Sequence, residues 1–348
     1  MKYKVSKIVK ESELVSSIYL KRADGKTLEQ FLPGQHLLFG LHLPSNEKIV
    51  HRFYSFSDSP EKTYYRISVK KEMPPILNKN LHSGVASTYL TEKLKVGEIL
   101  EARGPLGNFV CEIKGKEELV LIAGGIGITP LLSIIKALQL QNRDRKVWLF
   151  FGVTNSKDHI FKKELEQLKL NTNFQISTFY TNPLKSDRIE KEYDFIGNVD
   201  FEVIRRMIQL GEQKFYICGP RKMMNYHINA LKVQGISLDK IYTESFSSKS
   251  NPIDTVEQSS IETKKILVTF SKSGRIIEWN HSFKNLWELA NSNGIEIEVG
   301  CLFGDCGTCM TPISAGVVSY NHKTTAVPDE GTCLPCSCKP LTSLEIDS

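Results

Sequence analysis

Near the end of the chain, three cysteines stand in the stretch Cys301-Leu302-Phe303-Gly304-Asp305-Cys306-Gly307-Thr308-Cys309. Their spacing, C-x4-C-x2-C, is typical of a loop that supplies three thiolates to a cluster of two irons and two sulfides. A fourth thiolate has to come from a returning segment, and Leu334-Pro335-Cys336-Ser337-Cys338 contains candidates. Gly304 and Gly307 let the backbone fold closely and direct N–H groups at such a cluster. The pattern predicts a 2Fe-2S site, so the rest of the chain is expected to be a source of electrons.

The same thiolates offer one alternative, a structural zinc site, because zinc in proteins is also bound by cysteine sulfur. The C-x4-C-x2-C spacing favours iron and sulfide over zinc.

Length and cysteine content limit the class of protein. A chain of 348 residues is expected to hold two or three domains. No apolar run is long enough for a membrane span, and no apolar segment of a secretory leader follows the N-terminus. Eight cysteines without a leader favour the reducing cytoplasm, and metal or redox use instead of disulfides.

The charge is unevenly distributed along the chain. Residues 262–348 contain seven Lys/Arg and ten Asp/Glu, a net charge of −3, so the total of +6 leaves +9 on residues 1–261. A basic body suits anionic cofactors such as dinucleotides, although scattered solvated lysines explain it equally well. There is no basic stripe with interleaved aromatic residues, which argues against nucleic-acid binding.

Residues 1–112 are expected to form an antiparallel β-barrel. Short apolar runs are separated by turns at Asp24-Gly25, Pro33-Gly34 and Val96-Gly97, and a helical stretch, Ser87–Leu94, interrupts them. The predicted strands are Val5–Val9, Val15–Leu20, His36–Leu43, Tyr64–Lys70 and Ile99–Arg103.

Two segments of this barrel carry residues suited to a flat, phosphorylated cofactor. In Arg52-Phe53-Tyr54-Ser55, the arginine suits a phosphate, the tyrosine a flat ring and the serine hydroxyl a ring nitrogen. In Gly84-Val85-Ala86-Ser87, a glycine turn precedes a helix that Ser87 is expected to cap, which predicts an anion site.

Residues 113–247 alternate between strand and helix, as in a doubly wound parallel α/β sheet. The buried strand Leu119–Ala123 leads into Gly124-Gly125-Ile126-Gly127-Ile128-Thr129-Pro130, with Thr129 as the expected helix cap. Ligands of such sheets bind beyond the carboxyl ends of the strands, where this turn, Gly152–Asn155 and Cys218-Gly219-Pro220 all lie.

Together these motifs resemble the ferredoxin–NADP reductase superfamily, in which R-x-Y-S and G-x-x-S hold the flavin ring and its phosphates. The resemblance implies flavin contacts at Arg52, Tyr54, Ser55, Gly84 and Ser87. G-G-x-G-I-T-P, C-G-P-x-x-M-M and E-x-F look like the nicotinamide domain of the same superfamily. The implied nicotinamide-cofactor residues are Gly125, Gly127 and Thr129 near the pyrophosphate and ribose, Cys218 and Glu244 flanking the nicotinamide, and Phe246 on the flavin ring.

Two cofactor choices stay open at this point. The stretch Glu72–Ser83 is longer than the usual connection, which leaves FMN as an alternative to the favoured FAD. NADPH users of the family often have Ser-Arg where this chain has Thr181-Asn182, which favours NADH. Lys157, Lys185 or Arg188 are the candidates to replace the missing arginine.

A polar stretch, 248–261, is expected to be a flexible tether before a third domain, 262–348. A hairpin, Lys265–Phe270 with Arg275–Trp279, and a helix that Ser282 is expected to cap precede the cysteine loop. This order resembles the β-grasp fold of plant-type ferredoxins. Their closing pattern, Leu-x-Cys with a later proline, matches Leu334, Cys336 and Pro340. The implied cluster ligands are Cys301, Cys306, Cys309 and Cys336, with Cys333 and Cys338 as spectators or reserve ligands.

The resemblance implies a three-domain reductase that passes electrons from NAD(P)H through flavin and the 2Fe-2S cluster to a partner. Ser55 would bond flavin N5, and Cys218 and Glu244 would position the nicotinamide. The expected partner is an oxygenase or hydroxylase component, as for the reductase components of phenylacetyl-CoA epoxidase and ketosteroid hydroxylase, docking near Leu302, Phe303 and Asp305. The chain itself is expected to be a monomer in isolation.

Three other functions compete with this one. In the first, the electron acceptor is another metalloprotein, such as a hybrid-cluster or haem protein. In the second, the chain is a simple flavin diaphorase whose cluster is not used. The third alternative, from another class, is a non-catalytic binding module stabilised by zinc.

Overall fold

In a computed structural model of the chain, the residues described are 1–43, 46–73, 84–246, 265–280, 282–300, 302, 304, 307–320, 324 and 326–348, with backbone only for 46–48. The predicted ligands Cys301 and Cys306, most of the long stretch before Gly84, and the predicted tether lie outside these residues. The chain divides into two compact units, Met1–Ser247 and Ser248–Ser348, and each is considered by itself.

The first sheet of the first unit is antiparallel and, in the described residues, has six strands. They are β1 (Lys2–Lys10), β2 (Val15–Arg22), β3 (His36–Leu43), β4 (Asn46–Ser55), β5 (Tyr65–Lys70) and β6 (Ile99–Leu106). Their order is β4-β3-β6-β1-β2-β5, and a bridge between Phe56 and Ile67 joins the two ends. Alternate side chains of β1, including Tyr3 and Val5, are buried in the core. This is the predicted barrel.

The helix of this barrel differs in detail from the prediction. A short helix, α1 (Val85–Thr88), continues into a wider π-type turn over Tyr89–Lys93. Gly84 and not Ser87 occupies the cap position. The Ser87 hydroxyl instead donates to the Gly84 carbonyl at 2.9 Å and accepts from the Glu72 N–H at 3.0 Å. The predicted cap at Ser87 was therefore wrong, because its hydroxyl ties the helix to the end of β5.

The second sheet is the predicted doubly wound parallel sheet. Its strands are β7 (Leu119–Gly124), β8 (Val147–Val153), β9 (Phe174–Tyr180), β10 (Phe195–Ile196), β11 (Lys214–Cys218) and β12 (Ile241–Glu244), in the order β10-β9-β8-β7-β11-β12. Neighbouring strands run parallel, and every residue of β7 is buried, as expected for a strand that is covered on both faces.

Helices cover this sheet. They are α2 (Ile128–Gln141), α3 (Lys162–Leu168), α4 (Phe201–Met207) and α5 (Arg221–Val233). Helix α2 begins at Ile128, with Gly127 at the cap position, so Thr129 is not the cap. The Thr129 hydroxyl donates to the Ile126 carbonyl at 3.1 Å, so its hydrogen bond is made with the turn that precedes the helix.

The second unit contains a mixed sheet of order β14-β13-β19-β15-β17 and a two-stranded ribbon, β16-β18. The strands are β13 (Leu267–Phe270), β14 (Arg275–Glu278), β15 (Thr311–Ala315), β16 (Val318–Tyr320), β17 (Thr332–Cys333), β18 (Cys338–Pro340) and β19 (Leu344–Ile346). Helix α6 (Leu286–Ser292) packs Leu286 and Leu289 into the core. Asn285 caps it by accepting from the Glu288 N–H, so the prediction of Ser282 as the cap was wrong. The hairpin, the helix and the parallel pair β13/β19 agree with the expected β-grasp domain.

None of the helices in the described residues combines the length and the apolarity that crossing a membrane requires.

Candidate active site and metal centre

The end of strand β4 and the end of strand β12 meet in a crevice of the first unit. The Ser55 hydroxyl donates to Glu244 Oε2 at 2.8 Å, although 189 positions separate the two residues. Ser55 is 3 % exposed, and Glu244 is half-buried. A residue of the barrel and a residue of the parallel sheet therefore share one hydrogen bond at their junction.

The Cys218 thiol lies beside the same carboxylate. Cys218 and Glu244 are register partners on the neighbouring strands β11 and β12. Burial, and after it the negative charge of Glu244, raises the pKa of the Cys218 thiol well above its usual value. A shift in this direction favours the neutral thiol over the thiolate. The three residues predicted as catalytic are brought together.

Strand β4 also carries the other predicted flavin contacts of the barrel. Arg52 is exposed and donates to the His51 carbonyl, and Tyr54 is half-buried with its ring on Phe39. Phe246 follows β12 and packs against Phe53, with ring centroids 6.1 Å apart. An exposed guanidinium and accessible aromatic rings beside a buried hydroxyl are a donor set that fits a flat anionic cofactor such as FAD. Gly84 and Ser87 lie on α1, where a side chain on Gly84 would meet Ser87 and Glu72 at 2.8 Å.

A cleft of about 860 Å³ opens at the carboxyl ends of β7, β8 and β9. It is lined by the glycine-rich turn after β7 and by the segments that follow β8, β9, β10 and β11, including Gly125, Thr154, Thr181, Asn198 and Pro220. Its size and position fit a dinucleotide. Gly125 has φ +54°, a conformation that glycine adopts without strain. A side chain on Gly127 would lie 2.3 Å from the Cys218 carbonyl oxygen, so this glycine lets the turn pack on β11. Thr129 lies below the turn and is buried.

Sequence reasoning missed one residue of the crevice. His36, on β3, is 3 % exposed, and its Nδ1 lies 3.4 Å from Glu244 Oε1. His36 is the register partner of Ser55, so both side chains leave the barrel on the same face. Side chains alternate between the two faces along β3 and β4, and this alternation would have placed His36 beside Ser55. The segment of β4, however, was not predicted as a strand.

A second missed group joins the barrel to the parallel sheet. Arg66 on β5 pairs with Glu164 on α3 at 2.6 Å, and Lys136 on α2 pairs with both Asp58 and Glu164. Burial opposes the charged form of Asp58, but Arg66 and Lys136 outweigh it and lower the pKa of this carboxyl. The same applies to Glu164, where burial is outweighed first by Arg66. We call these four residues the junction cluster.

In the second unit, two of the predicted metal ligands face each other. The sulfurs of Cys309 and Cys336 are 3.0 Å apart, and both residues are 3 % exposed. The Asn285 side chain donates to the Cys336 carbonyl at 2.8 Å, and the Trp287 N–H donates to the Pro335 carbonyl at 3.0 Å. The start of α6 thus holds the returning segment in place. The adjoining thiol of Cys309, and after it burial, raises the pKa of the Cys336 thiol.

Glycines shape the loop around this pair. Gly304 and Gly307 have φ +77° and +71°, and a side chain on Gly304 would lie 2.4 Å from Thr324 Cγ2. Leu302 also has a positive φ, +62°, which is uncommon for a residue with a branched side chain. A tightly turned loop with two converging sulfurs fits an iron–sulfur cluster.

The structure separates Cys333 and Cys338 from this pair. Both are fully buried in the core of the unit, and they hydrogen-bond each other, which raises the pKa of Cys338. Cys333 and Cys336 form a C-x2-C pair of the kind that zinc sites use. Their side chains nevertheless belong to different clusters of the core, since Cys336 packs with Cys309 and Leu334.

Three known family models match successive parts of the chain. Residues 2–111 match the family model of the oxidoreductase FAD-binding domain, residues 121–228 that of the oxidoreductase NAD-binding domain, and residues 270–341 that of the 2Fe-2S iron-sulfur cluster binding domain.

Among relatives, a flavohemoprotein of Bacillus cereus is 36% identical over 245 residues, which are 70% of this chain and 60% of the relative. The chain thus spans about 60% of the length of this relative. The FAD/NAD-binding domain of a nitric oxide dioxygenase from Vibrio cholerae is 27% identical, with a TM-score of 0.62, and the match covers 70% of this chain and 98% of that domain.

The fold of phthalate dioxygenase reductase is similar over the whole chain. That match covers 100% of this chain and 98% of the other, with 20% identity and a TM-score of 0.60. The chain therefore belongs to the oxidoreductases that combine an FAD-binding domain, an NAD-binding domain and a 2Fe-2S iron-sulfur cluster binding domain, in this order.

Proposed function

We propose that this protein takes electrons from NADH and passes them through FAD and a 2Fe-2S cluster to an oxygenase or hydroxylase partner. The observation that carries the proposal is the convergence of Ser55, Cys218 and Glu244 at the junction of the FAD-binding and NAD-binding domains. FAD accepts two electrons as a hydride and releases them singly, which a one-electron cluster requires.

The residues of the crevice bind, orient and exclude water. Ser55 presents a hydroxyl from a strand end, and Glu244 presents a carboxylate from the facing strand end. The Cys218 side chain is fully buried on the strand next to Glu244. Arg52, Gly84 and Ser87 are proposed to hold the flavin phosphates, and Tyr54 and Phe246 to cover the flavin ring. Gly125, Gly127 and Thr129 are proposed to shape the pyrophosphate site.

The loops beside the cleft support NADH as the donor instead of NADPH. The Asp187 carboxylate accepts hydrogen bonds from the Ser156 N–H at 3.2 Å and the Leu184 N–H at 2.9 Å. It thereby occupies backbone donors of the loops after β8 and β9 that would otherwise be open to an anion. Asp158 adds a second carboxylate, on the cleft wall itself. These carboxylates would repel an additional phosphate on the adenosine ribose, whereas a ribose hydroxyl can donate a hydrogen bond to a carboxylate.

Cys301, Cys306, Cys309 and Cys336 are proposed as the cluster ligands. The described pair supports the proposal, since Cys309 and Cys336 face each other inside a shell of Leu302, Leu334 and Ala326. Cluster-bound thiolates need burial together with backbone N–H donors, which a loop with two left-handed glycines supplies.

The net charge of the 2Fe-2S domain bears on the choice of electron acceptor. Residues 262–348, with their net charge of −3, suit a partner with a basic surface around its own metal centre. Leu302 is the described residue of the proposed docking surface, and Phe303 and Asp305 lie outside the described residues. A haem protein is the second candidate acceptor, because the FAD-binding and NAD-binding domains are 36% identical to those of flavohemoproteins.

Anaerobic titration of the purified protein with NADH and then with NADPH tests the proposal. NADH is expected to bleach the flavin absorption and then the cluster absorption, with about two irons per chain by analysis. A protein that contains zinc without iron, or whose flavin is not bleached by either nucleotide, would contradict the proposal. If the acceptor is a haem protein, the change in its Soret band should show that its haem is reduced faster than the metal centre of an oxygenase component.

A further inference from the structure

His36 and Ser55 approach the same carboxylate from one face of the barrel. They are directly paired across strands β3 and β4. Ser55 Oγ lies 2.8 Å from Glu244 Oε2, and His36 Nδ1 lies 3.4 Å from the other oxygen, Oε1. Each barrel residue therefore faces one oxygen of a carboxylate that belongs to the other sheet.

The surroundings of the His36 ring hold it in this direction. A side chain on Gly107 would lie 2.8 Å from His36 Nδ1 and 2.9 Å from Cε1, so the backbone of β6's continuation lies against the ring. Phe53 packs at its other side, with ring centroids 5.1 Å apart. Gly107, whose positive φ of +106° is a conformation that glycine tolerates, therefore leaves the space that the ring occupies.

Nδ1 of this buried histidine has no hydrogen-bond partner among the described residues. A buried polar nitrogen without a partner is uncommon and costs stability. A neighbouring acceptor, Glu244 Oε1, is only about 0.4 Å beyond a good N–H···O distance from this nitrogen. A small movement of the Glu244 side chain is enough to make that hydrogen bond.

We propose that His36 is a positioning residue that holds Glu244 in the crevice when the Ser55 hydroxyl turns from Glu244 to the flavin. Ser55 is the described donor to Oε2, so its departure leaves the half-buried carboxylate in need of another donor. The Nδ1–H of His36 supplies that donor and keeps Glu244 directed at the nicotinamide site. This inference rests on the function proposed above, since it assigns Ser55 to the flavin.

Three substitutions test the role of Nδ1. In H36N, the amide nitrogen occupies the place of Nδ1, so this variant is expected to keep kcat for NADH-dependent flavin reduction within about threefold of the wild type. H36Q carries the same group one bond farther, at the place of Nε2, and is expected to lose about tenfold or more in kcat with little change in KM. H36L is expected to behave as H36Q does. A residue that only fills space would not distinguish H36N from H36Q.

The flavin content and the unfolding temperature of each variant show whether it folds. If H36L fails to fold, the comparison of H36N with H36Q decides the matter, since both are polar and of similar size. Equal kcat values for H36N and H36Q would overturn the inference.

A second measurement does not depend on turnover. Nitrogen-15 NMR of histidine-labelled apoprotein reports which ring nitrogen of His36 carries the proton, with H36N used to assign the signal. We expect a proton on Nδ1 in the wild type, and a shift of this resonance in E244Q. An unprotonated Nδ1, or a resonance that E244Q leaves unchanged, would contradict the contact. If the wild type itself does not reduce its flavin with NADH, the proposed function fails, while the NMR result still decides whether His36 and Glu244 interact.

Discussion

The guanidinium of Arg66 bonds both oxygens of Glu164, at 2.6 Å from Nη1 to Oε1 and 3.1 Å from Nη2 to Oε2. Arg66 belongs to the barrel and is 3 % exposed, whereas Glu164 belongs to a helix of the parallel sheet. The Phe161 ring lies under the guanidinium at 5.0 Å. This two-pronged ion pair joins the FAD-binding domain to the NAD-binding domain.

Replacing Arg66 by methionine is expected to destabilise the first unit by about 3 kcal/mol, because it leaves Glu164 and Asp58 partly buried with one cation instead of two. Urea unfolding, followed by tryptophan fluorescence, measures the loss. The matched control is R205A, whose partner Glu202 forms an ion pair with both side chains 52% exposed, and it should cost less than about 1 kcal/mol. Equal losses in the two variants would show that the junction cluster is not the main contact.

The junction cluster also predicts acid sensitivity. The pKa values of Asp58 and Glu164 lie below their usual 3.8 and 4.5, because neighbouring cations outweigh the effect of burial. A carboxyl with a lowered folded pKa stabilises the fold above its unfolded pKa and loses that contribution as the pH falls through the folded value. The stability difference between the wild type and R66M should therefore be constant from pH 7 to about 5 and shrink below about pH 4. A difference that stays constant down to pH 3 would exclude these carboxylates as the cause.

The cysteines of the second unit should divide into two groups. C336S is expected to lose most of the bound iron and the cluster absorption, since its sulfur faces Cys309. C338S is the matched control. Cys338 pairs with Cys333 in the core, so this variant should keep its bound iron. Iron analysis and visible spectra of both variants provide the measurement. Loss of iron in C338S with retention in C336S would reverse the assignment of the fourth ligand.

Asp187 should control the choice between the two nicotinamide cofactors. In D187N, one negative charge is removed from beside the cleft, and the ratio of kcat/KM for NADH to that for NADPH is expected to fall about tenfold. D144N makes the same change in charge at an exposed position before β8, at the opposite edge of the sheet, and should leave the ratio unaltered. The hypothesis is abandoned if both variants give the wild-type ratio.

Part of the candidate site was accessible from local sequence patterns. The glycine turn after β7 and the Cys218-Gly219-Pro220 turn after β11 follow apolar strands, and parallel strands carry their ligands at this edge. The helix caps were predicted less well. Ser87, Thr129 and Ser282 are all polar residues at plausible helix starts. The Ser87 and Thr129 hydroxyls, however, donate to carbonyls of nearby turns, and Asn285 instead of Ser282 caps α6.

By itself, the sequence determined the order of the three domains, the chemistry of their ligands and the strand ends that present them. These properties depend on short-range periodicity and on residue types a few positions apart. Only the tertiary structure decided that Glu244 would share its two oxygens between Ser55 and His36, and that Arg66 would pair with Glu164. These contacts join residues about 100 to 200 positions apart, and they form only when the barrel packs against the parallel sheet. No local pattern encodes that packing, because it depends on the shapes of two complete cores.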